Sequence, residues 1–222
     1  SKALILTRVP QEFNIDLTTN ENVKFLNLGD SKLLGDKEIK IKFKKFDEND
    51  NNIKKVNLEM KRVRSNNISL TAEEGFEIAL SAKSYLEGEN FEIFFPTKSV
   101  LNLKKIGVAK KGLIKLFNSL VEIRSIITSK EHYKFLLIEG EKIDIKIGSI
   151  QGNIIMKSET GNLSIENINA SKFIYKGKDS NNFEIFINSL TKFKNNDFHY
   201  IGFINEKLKE NFIKKKTIMI NK

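Results

Sequence analysis

Cysteine and tryptophan are absent from this 222-residue chain, and proline and histidine each occur only twice. Without thiols there can be no disulfide scaffold, thiolate zinc site, iron–sulfur cluster or cysteine nucleophile. The lack of cysteine suits a reducing cytoplasm and a cell envelope equally. The longest uncharged apolar runs, such as residues 4–7 and 135–138, cover a few positions, whereas a membrane-crossing helix takes ~20. No transmembrane segment is therefore predicted. The chain opens on Ser1 rather than Met, so its natural start is expected to lie further upstream, and whether a signal peptide or anchor stands there is open. What is present is ample core material: 40% of the residues are hydrophobic and 30% charged, enough for one large domain or two ordinary ones.

From residue 3 onward, apolar and polar residues alternate in runs of four to eight, the period of a half-buried strand. Ile39, Ile41 and Phe43 alternate with lysines; Val56, Leu58 and Met60 alternate with Asn57 and Glu59; further runs lie at 91–95, 101–106, 121–126, 143–147, 183–187 and 217–220. Turn formers separate them, among them the stretches 49–52, 65–67, 73–75, 87–90 and 179–182. The pattern predicts an all-β chain. Three stretches also fit a helix. Thr71-x-x-Glu74 has the form of a capping box, but Phe76, Ile78, Leu80 and Ala82 follow period 2, so strand is preferred there. In residues 110–123, Leu113, Leu116, Phe117, Leu120 and Ile123 recur at three- and four-residue steps, the strongest helical spacing in the chain. Residues 205–215, with Leu208 and Phe212 four apart, suit one or two helical turns before a terminal strand. At most one or two short helices are expected.

A repeat underlies the second half. The pairs Leu136/Ile138, Ile145/Ile147, Ile154/Met156 and Leu163/Ile165 stand nine residues apart, and Phe173/Tyr175 continues them with one insertion. Gly152-Asn153 and Gly161-Asn162 take equivalent places just before a rung, where a bend needs freedom for positive φ. A nine-residue step holds a strand of about five residues and a corner of about four. Two architectures fit: an antiparallel meander, or a β-solenoid in which successive coils stack ~4.8 Å apart. The uniform apolar filling and the recurrent corner asparagines favour the solenoid. The expected division is an N-terminal strand region at 1–90 continuous with the solenoid, a repeat region at 91–190 and a C-terminal cap at 191–222.

The segment GNIIMKSETGNLSIENI, residues 152–168, resembles the repeat of bacterial adhesin-type β-solenoid domains, a large family of unknown function. Its marks are Gly-Asp/Asn, alternating apolar residues, a Ser/Thr-rich corner, Gly-Asp/Asn again and an apolar-Glu-Asn stretch. The upstream run FEIFFPTKSVLNLKKIG, residues 91–107, is similar to that family's lead-in, a strand ending in Pro, here Pro96, then a small polar turn and another alternating strand. The resemblance covers roughly residues 91–190 and implies a single-strand-per-face solenoid in envelope or secreted proteins, with no established reaction. The chain departs from the pattern in carrying Asn where Asp is commoner, in its Lys/Asn/Ile bias and in the helix-like spacing at 110–123.

Chemistry-bearing residues are few. His132 and His199 sit in strand-edge neighbourhoods, EHYKF and FHYIG, with no partner nearby in sequence of the kind a metal site or nucleophile–base pair needs. The paired carboxylates Glu73-Glu74, Glu87-x-Glu89 and Glu139-x-Glu141 fall at predicted turns, the place for solvated charge, rather than across a cleft of ~5–10 Å. The acidic run 47–52, DENDNN, resembles a calcium loop in content but lacks its glycine and terminal glutamate, and reads as a hydrated hairpin tip. Phosphate-loop, dinucleotide, nucleophile-elbow and zinc-protease motifs are all missing. No catalytic, cofactor-binding or metal residue is assigned, and no cofactor is expected.

The remaining signal is charge. Thirty-eight basic residues against 28 acidic give +10, with lysines at 40–45, 54–55, 61–64, 104–105, 110–111 and 214–216 on the outward side of the alternation. Such charges keep strands soluble and unpaired at their edges, and a Lys-, Asn- and Ile-rich chain is also what an AT-rich genome yields. A functional reading is attraction to a polyanion. Only four residues are arginine, Arg8, Arg62, Arg64 and Arg124, the type suited to bidentate base contacts, so no specific nucleic-acid binding is expected. The sequence thus points to a non-catalytic, extracytoplasmic β-solenoid, an adhesin-like binding or assembly surface whose partner is a polyanionic envelope or host-surface component. The alternatives are a cytoplasmic basic β-domain that binds nucleic acid and an envelope enzyme acting on glycans.

Overall fold

Alternation at period 2 gives each strand one apolar side, and a strand can hide that side only against other strands. In the computed structural model the backbone is described for residues 2–8, 13–18, 23–30, 38–45, 47–129, 131, 133–158, 162–170, 173–177, 184–193, 198–201 and 218–221, and side chains for 38–45, 47–129, 131, 133–157, 165 and 166. The strands are β1 (Lys2–Arg8), β2 (Phe13–Thr18), β3 (Val23–Asp30), β4 (Glu38–Lys44), β5 (Lys54–Ala72), β6 (Phe76–Phe95), β7 (Ser99–Thr128), β8 (Phe135–Gln151), β9 (Ile154–Ser158), β10 (Asn162–Ala170), β11 (Phe173–Gly177), β12 (Glu184–Phe193), β13 (Phe198–Ile201) and β14 (Ile218–Asn221). The ladders between these strands are parallel. A meander, which reverses the chain at each corner, is thereby excluded; the fold is an all-β solenoid of about four turns.

Each coil contributes three sides. One long side stacks residues 54–60 on 76–82 and those on 99–103, and continues with 143–147 on 163–165. A short side stacks 62–65 on 85–88 and 106–108, and later 125–127 on 149–151 and 167–169. The second long side stacks 39–43, 68–72, 90–95, 111–117 and 135–141, followed by β9, β11, β13 and β14. The nine-residue recurrence is the half-coil of this arrangement. Leu136 stacks on Ile154 and Phe173, while Ile145 stacks on Leu163, so alternate rungs build opposite long sides. Of the rung residues, Leu136, Ile145 and Ile154 are buried; the side chains of Leu163 and Phe173 lie outside the described residues.

Every side sends a column of apolar residues inward, such as Ile41, Leu70, Ile93, Ile114, Ile138 and Met156 on one long side and Val63, Leu86, Ile106, Ile126 and Ile150 on the short one, all buried. Full burial of each such side chain stabilises by about 1.5–3 kcal/mol, and the column makes each coil the template for the next.

No helix occurs among the described residues, within the expected limit of at most one or two short ones. Residues 110–123 belong to β7. There Ile114 and Leu116 point inward on one side; Asn118, at φ 46°, turns the corner, and Ser119, Val121 and Ile123 point inward on the next. Two period-2 phases joined by a corner of odd length imitate three- and four-residue steps. Phe117 and Leu120, assigned to the helical face by that spacing, are exposed. Residues 71–83 are strand apart from the turn at 73–75, where Gly75 has φ 95°. The helical stretch expected at 205–215 lies outside the described residues, as does Gly161.

Close coil packing explains the glycines of the later bends. Gly152 has φ 102°, and a Cβ there would stand 2.3 Å from both the carbonyl oxygen and Oγ1 of Thr128. At Gly148 the Cβ would meet the Arg124 carbonyl oxygen at 2.4 Å. Asn153, beside Gly152, pins the neighbouring corner: its Nδ2 donates to the carbonyls of Glu131 (2.8 Å) and Lys134 (3.2 Å), while Thr128 Oγ1 donates to the Asn153 carbonyl (2.8 Å). Two side-chain donors are used there, which an aspartate could not supply.

Candidate functional site

Residues distant in sequence meet on the outside of the coils in concave places, and two of these gather more than one basic residue. The first is on the short side. Position 107 is glycine, position 88 is glycine and position 109 is alanine, so the outer surface of successive coils is bare above Val108 and Ile127. A depression of about 480 Å³ results. Its charged wall is Glu87, which Arg64 holds through Nε (2.8 Å) and a terminal guanidinium nitrogen (2.6 Å), both on Oε2, and which Lys105 Nζ meets at Oε1 (2.8 Å). The Arg64 guanidinium also lies 5.4 Å from the Tyr85 ring centre. Burial pushes the Glu87 carboxyl upward, but the hydrogen bonds and charges of Lys105 and Arg64 outweigh it and hold the group below the ordinary carboxylate range. Glu87 is therefore an ionised counterion, and as a general acid it would be mismatched.

The other paired carboxylates are scattered. Glu89 pairs with Lys110 at 3.0 Å; Glu73 and Glu74 lie in the turn after β5 and Glu139 and Glu141 at a bend of β8. No two of these pairs meet in either of the two basic depressions, and among the described residues no three His, Asp or Glu side chains converge as a metal set. His132 and the side chain of His199 lie outside the described residues; the His199 backbone pairs with Ile174 and Met219.

Residues 47–52 are not a hairpin tip. β4 and β5 run parallel, and the loop between them carries the chain from one long side to the other. It is held by Asp side chains accepting from backbone two residues on: Asn49 N–H to Asp47 Oδ1 (3.0 Å) and Asn52 N–H to Asp50 Oδ1 (2.8 Å). Lys54, expected outward with its neighbours, points inward and is 1% exposed. Its Nζ lies 3.0 Å from Asp50 Oδ2, out of hydrogen-bond alignment, and 6.0 Å from the Phe76 ring centre. The hydrogen bond from Asn52 and the Lys54 ammonium together lower the Asp50 pKa. One lysine of the basic inventory is thus part of a corner rather than of the surface.

The second concave place is a trough of about 750 Å³ across the outer face of the second long side. Its floor is made of short polar residues of β5 and β6, Asn67, Ser69, Thr71 and Asn90, together with Glu92. One wall is Glu38, Lys40 and Lys42 of β4; the other is Lys111, Leu113, Phe135 and Leu137 of β7 and β8. Asn90 Nδ2 donates to Asn67 Oδ1 (2.9 Å), so the remaining capacity of the pair is a donor, the Asn67 amide nitrogen, and an acceptor, the Asn90 amide oxygen. Sequence reading noted the lysines but missed the floor. The signal was there: Asn67-Ile68-Ser69-Leu70 and Asn90-Phe91-Glu92-Ile93 are the same alternating phrase one coil apart, with Asn67 in register with Asn90.

Comparison of the chain with protein-family models, curated proteins and solved structures returned no match. Among the described residues no helix is long and apolar enough to cross a membrane.

Proposed function

We propose that the chain is a non-catalytic β-solenoid scaffold of the adhesin-like kind, working outside the cytoplasm, whose long outer faces bind or assemble with a polyanionic component of an envelope or host surface. The observation that carries this reading is the trough. Its lysines and amides come from coils far apart in sequence, and the stacking fixes them side by side with their polar ends outward. Rigid presentation of this kind lowers the entropic cost of binding an extended partner. The tight ion pairing of Glu87 supports a structural rather than an acid–base role for the best-placed carboxylate.

The test is co-sedimentation of the protein with isolated bacterial cell envelopes, alongside anisotropy titrations with duplex DNA at about 0.15 M salt. Retention on envelopes is expected, with DNA bound only in the ~10⁻⁴–10⁻⁶ M range of non-specific contacts and weakening steeply with salt. A salt-resistant DNA complex in the ~10⁻⁸ M range, without envelope retention, would replace this reading by nucleic-acid binding.

A further inference from the structure

We infer that the trough over β4–β8 is a binding site for a glycan chain whose acidic sugars alternate with neutral ones; the inference rests on the scaffold reading above and names its ligand class. The two lysine-bearing walls stand on β4 and β7, three strand spacings or about 14 Å apart, with Lys40 and Lys42 beside Glu38 on one and Lys111 on the other. No ion pair with a described residue engages these three ammonium groups. Between them the floor is neutral or acidic: Asn67, Ser69, Thr71 and Asn90 offer amides and hydroxyls, and Glu92 stands in register between Ser69 and Leu113.

Lysines at both margins and between them a polar floor with a single carboxylate, Glu92, suit a ligand whose carboxylates are separated by hydroxyl-bearing units. Sugar hydroxyls both donate and accept, matching the amide nitrogen of Asn67, the amide oxygen of Asn90 and the Glu92 carboxylate. Phe135, half-buried at the rim beside Lys111, adds an apolar ring for the C–H face of a sugar. A nucleic-acid strand fits the same place poorly. It carries a charge at every phosphate and would set one over Glu92, and Lys supplies point charge rather than bidentate contacts.

The experiment is titration of the full chain with a labelled oligosaccharide of alternating uronate and N-acetylhexosamine, with neutral dextran and oligo-dT as comparison probes. Binding of the uronate oligosaccharide is expected, with dextran and oligo-dT bound more weakly. Lys40→Ser with Lys42→Ser, and separately Lys111→Ser, should each weaken it about tenfold, the scale of a lost charge-assisted contact. Asn67→Ala should weaken it as well although it leaves the charge unchanged, which simple attraction to a basic surface would not do. None of the four positions is buried, and circular dichroism checks that each variant remains folded. Equal binding of oligo-dT and the uronate oligosaccharide would overturn the inference, as would uronate binding indifferent to all of these substitutions. If envelopes retain the protein but the oligosaccharide does not bind, the ligand class fails while the scaffold reading stands; if neither binds, both fail.

Discussion

Between Leu136 and Ile154 the chain completes a coil in eighteen residues, whereas between Lys54 and Phe76 it takes twenty-two. The two coils share one core, and they differ in how they bend. The longer coil passes from one long side to the next without a glycine before Gly75, using Arg62, Arg64, Ser65 and Asn66 at its bends. The shorter one turns at Gly148 and Gly152, where the backbone of the preceding coil comes so close that a Cβ has no room. The compact coil thus depends on glycine bends, and the roomier one between Lys54 and Phe76 replaces them with polar side chains that fill the corner.

If this contrast is confined to the bends, the core should respond alike in both coils. Ile154→Ala in the compact coil and Ile68→Ala in the roomy one both empty an inward column at a buried site, and each should cost about 2–5 kcal/mol in denaturant titration. Costs differing by more than about 2 kcal/mol between the two would place the difference in packing and break the comparison.

The next effect separates the bends themselves. Gly152→Ala forces an L-residue to φ 102° and sets its Cβ 2.3 Å from the Thr128 carbonyl oxygen. Strain of about 1–3 kcal/mol and a comparable overpacking term give an expected loss of about 2–6 kcal/mol. A thermal midpoint unchanged from the parent protein would mean that the coil can widen at this bend without penalty.

Legibility in the sequence follows the same contrast. Where the coil is shortest its two halves are equal, and Leu136, Ile145, Ile154 and Leu163 expose the period directly. In the earlier coils the corners vary: Lys111 pairs with Phe135 twenty-four residues on, but Ile78 with Ser99 only twenty-one on. The period dissolves there, and a corner inside β7 passed for a helix. Outward positions are harder still to read. Whether Lys42 neighbours Thr71 or some other residue depends on every corner in between, so the trough emerges only once the register is known. Lys54 was illegible for a related reason: its inward turn is allowed by Asp50, held in a loop whose conformation is set by its own side-chain hydrogen bonds.

A smaller effect concerns pH. The carboxyl of Glu87 is depressed in the folded protein, chiefly because Lys105 and Arg64 outweigh burial. At acid pH the unfolded chain binds this proton more readily than the folded one, so stability rises with pH through that window. The contribution is present above the ordinary value of 4.5 and is lost as pH falls through the lower folded value. Glu87→Gln should flatten the acid limb of the stability curve by about 1 kcal/mol or less, since both ion-pair partners are partly in solvent. Parallel curves for parent and variant below pH 4.5 would show the network to be without energetic weight.

The least costly glycine substitution should lie on the same network. Gly107 faces the depression of the short side, and an added Cβ would meet Glu87 Cγ at 2.9 Å and Glu87 Cβ at 3.4 Å, with no backbone atom among its nearest neighbours. A side chain can shift where a carbonyl cannot, so Gly107→Ala is expected to cost under about 1 kcal/mol, against the larger loss at Gly152. What cost remains should come from displacing Glu87 from Arg64 and Lys105. A double-mutant cycle isolates it: in a Glu87→Ala background the obstructing Cγ is gone, and Gly107→Ala should become neutral or stabilise by about 0.5–1 kcal/mol through reduced freedom of the unfolded chain. If Gly107→Ala is as damaging as Gly152→Ala, and remains so without the Glu87 side chain, the short side of the roomy coils is as tightly spaced as the bends of the compact one, and the distinction between the two kinds of coil fails.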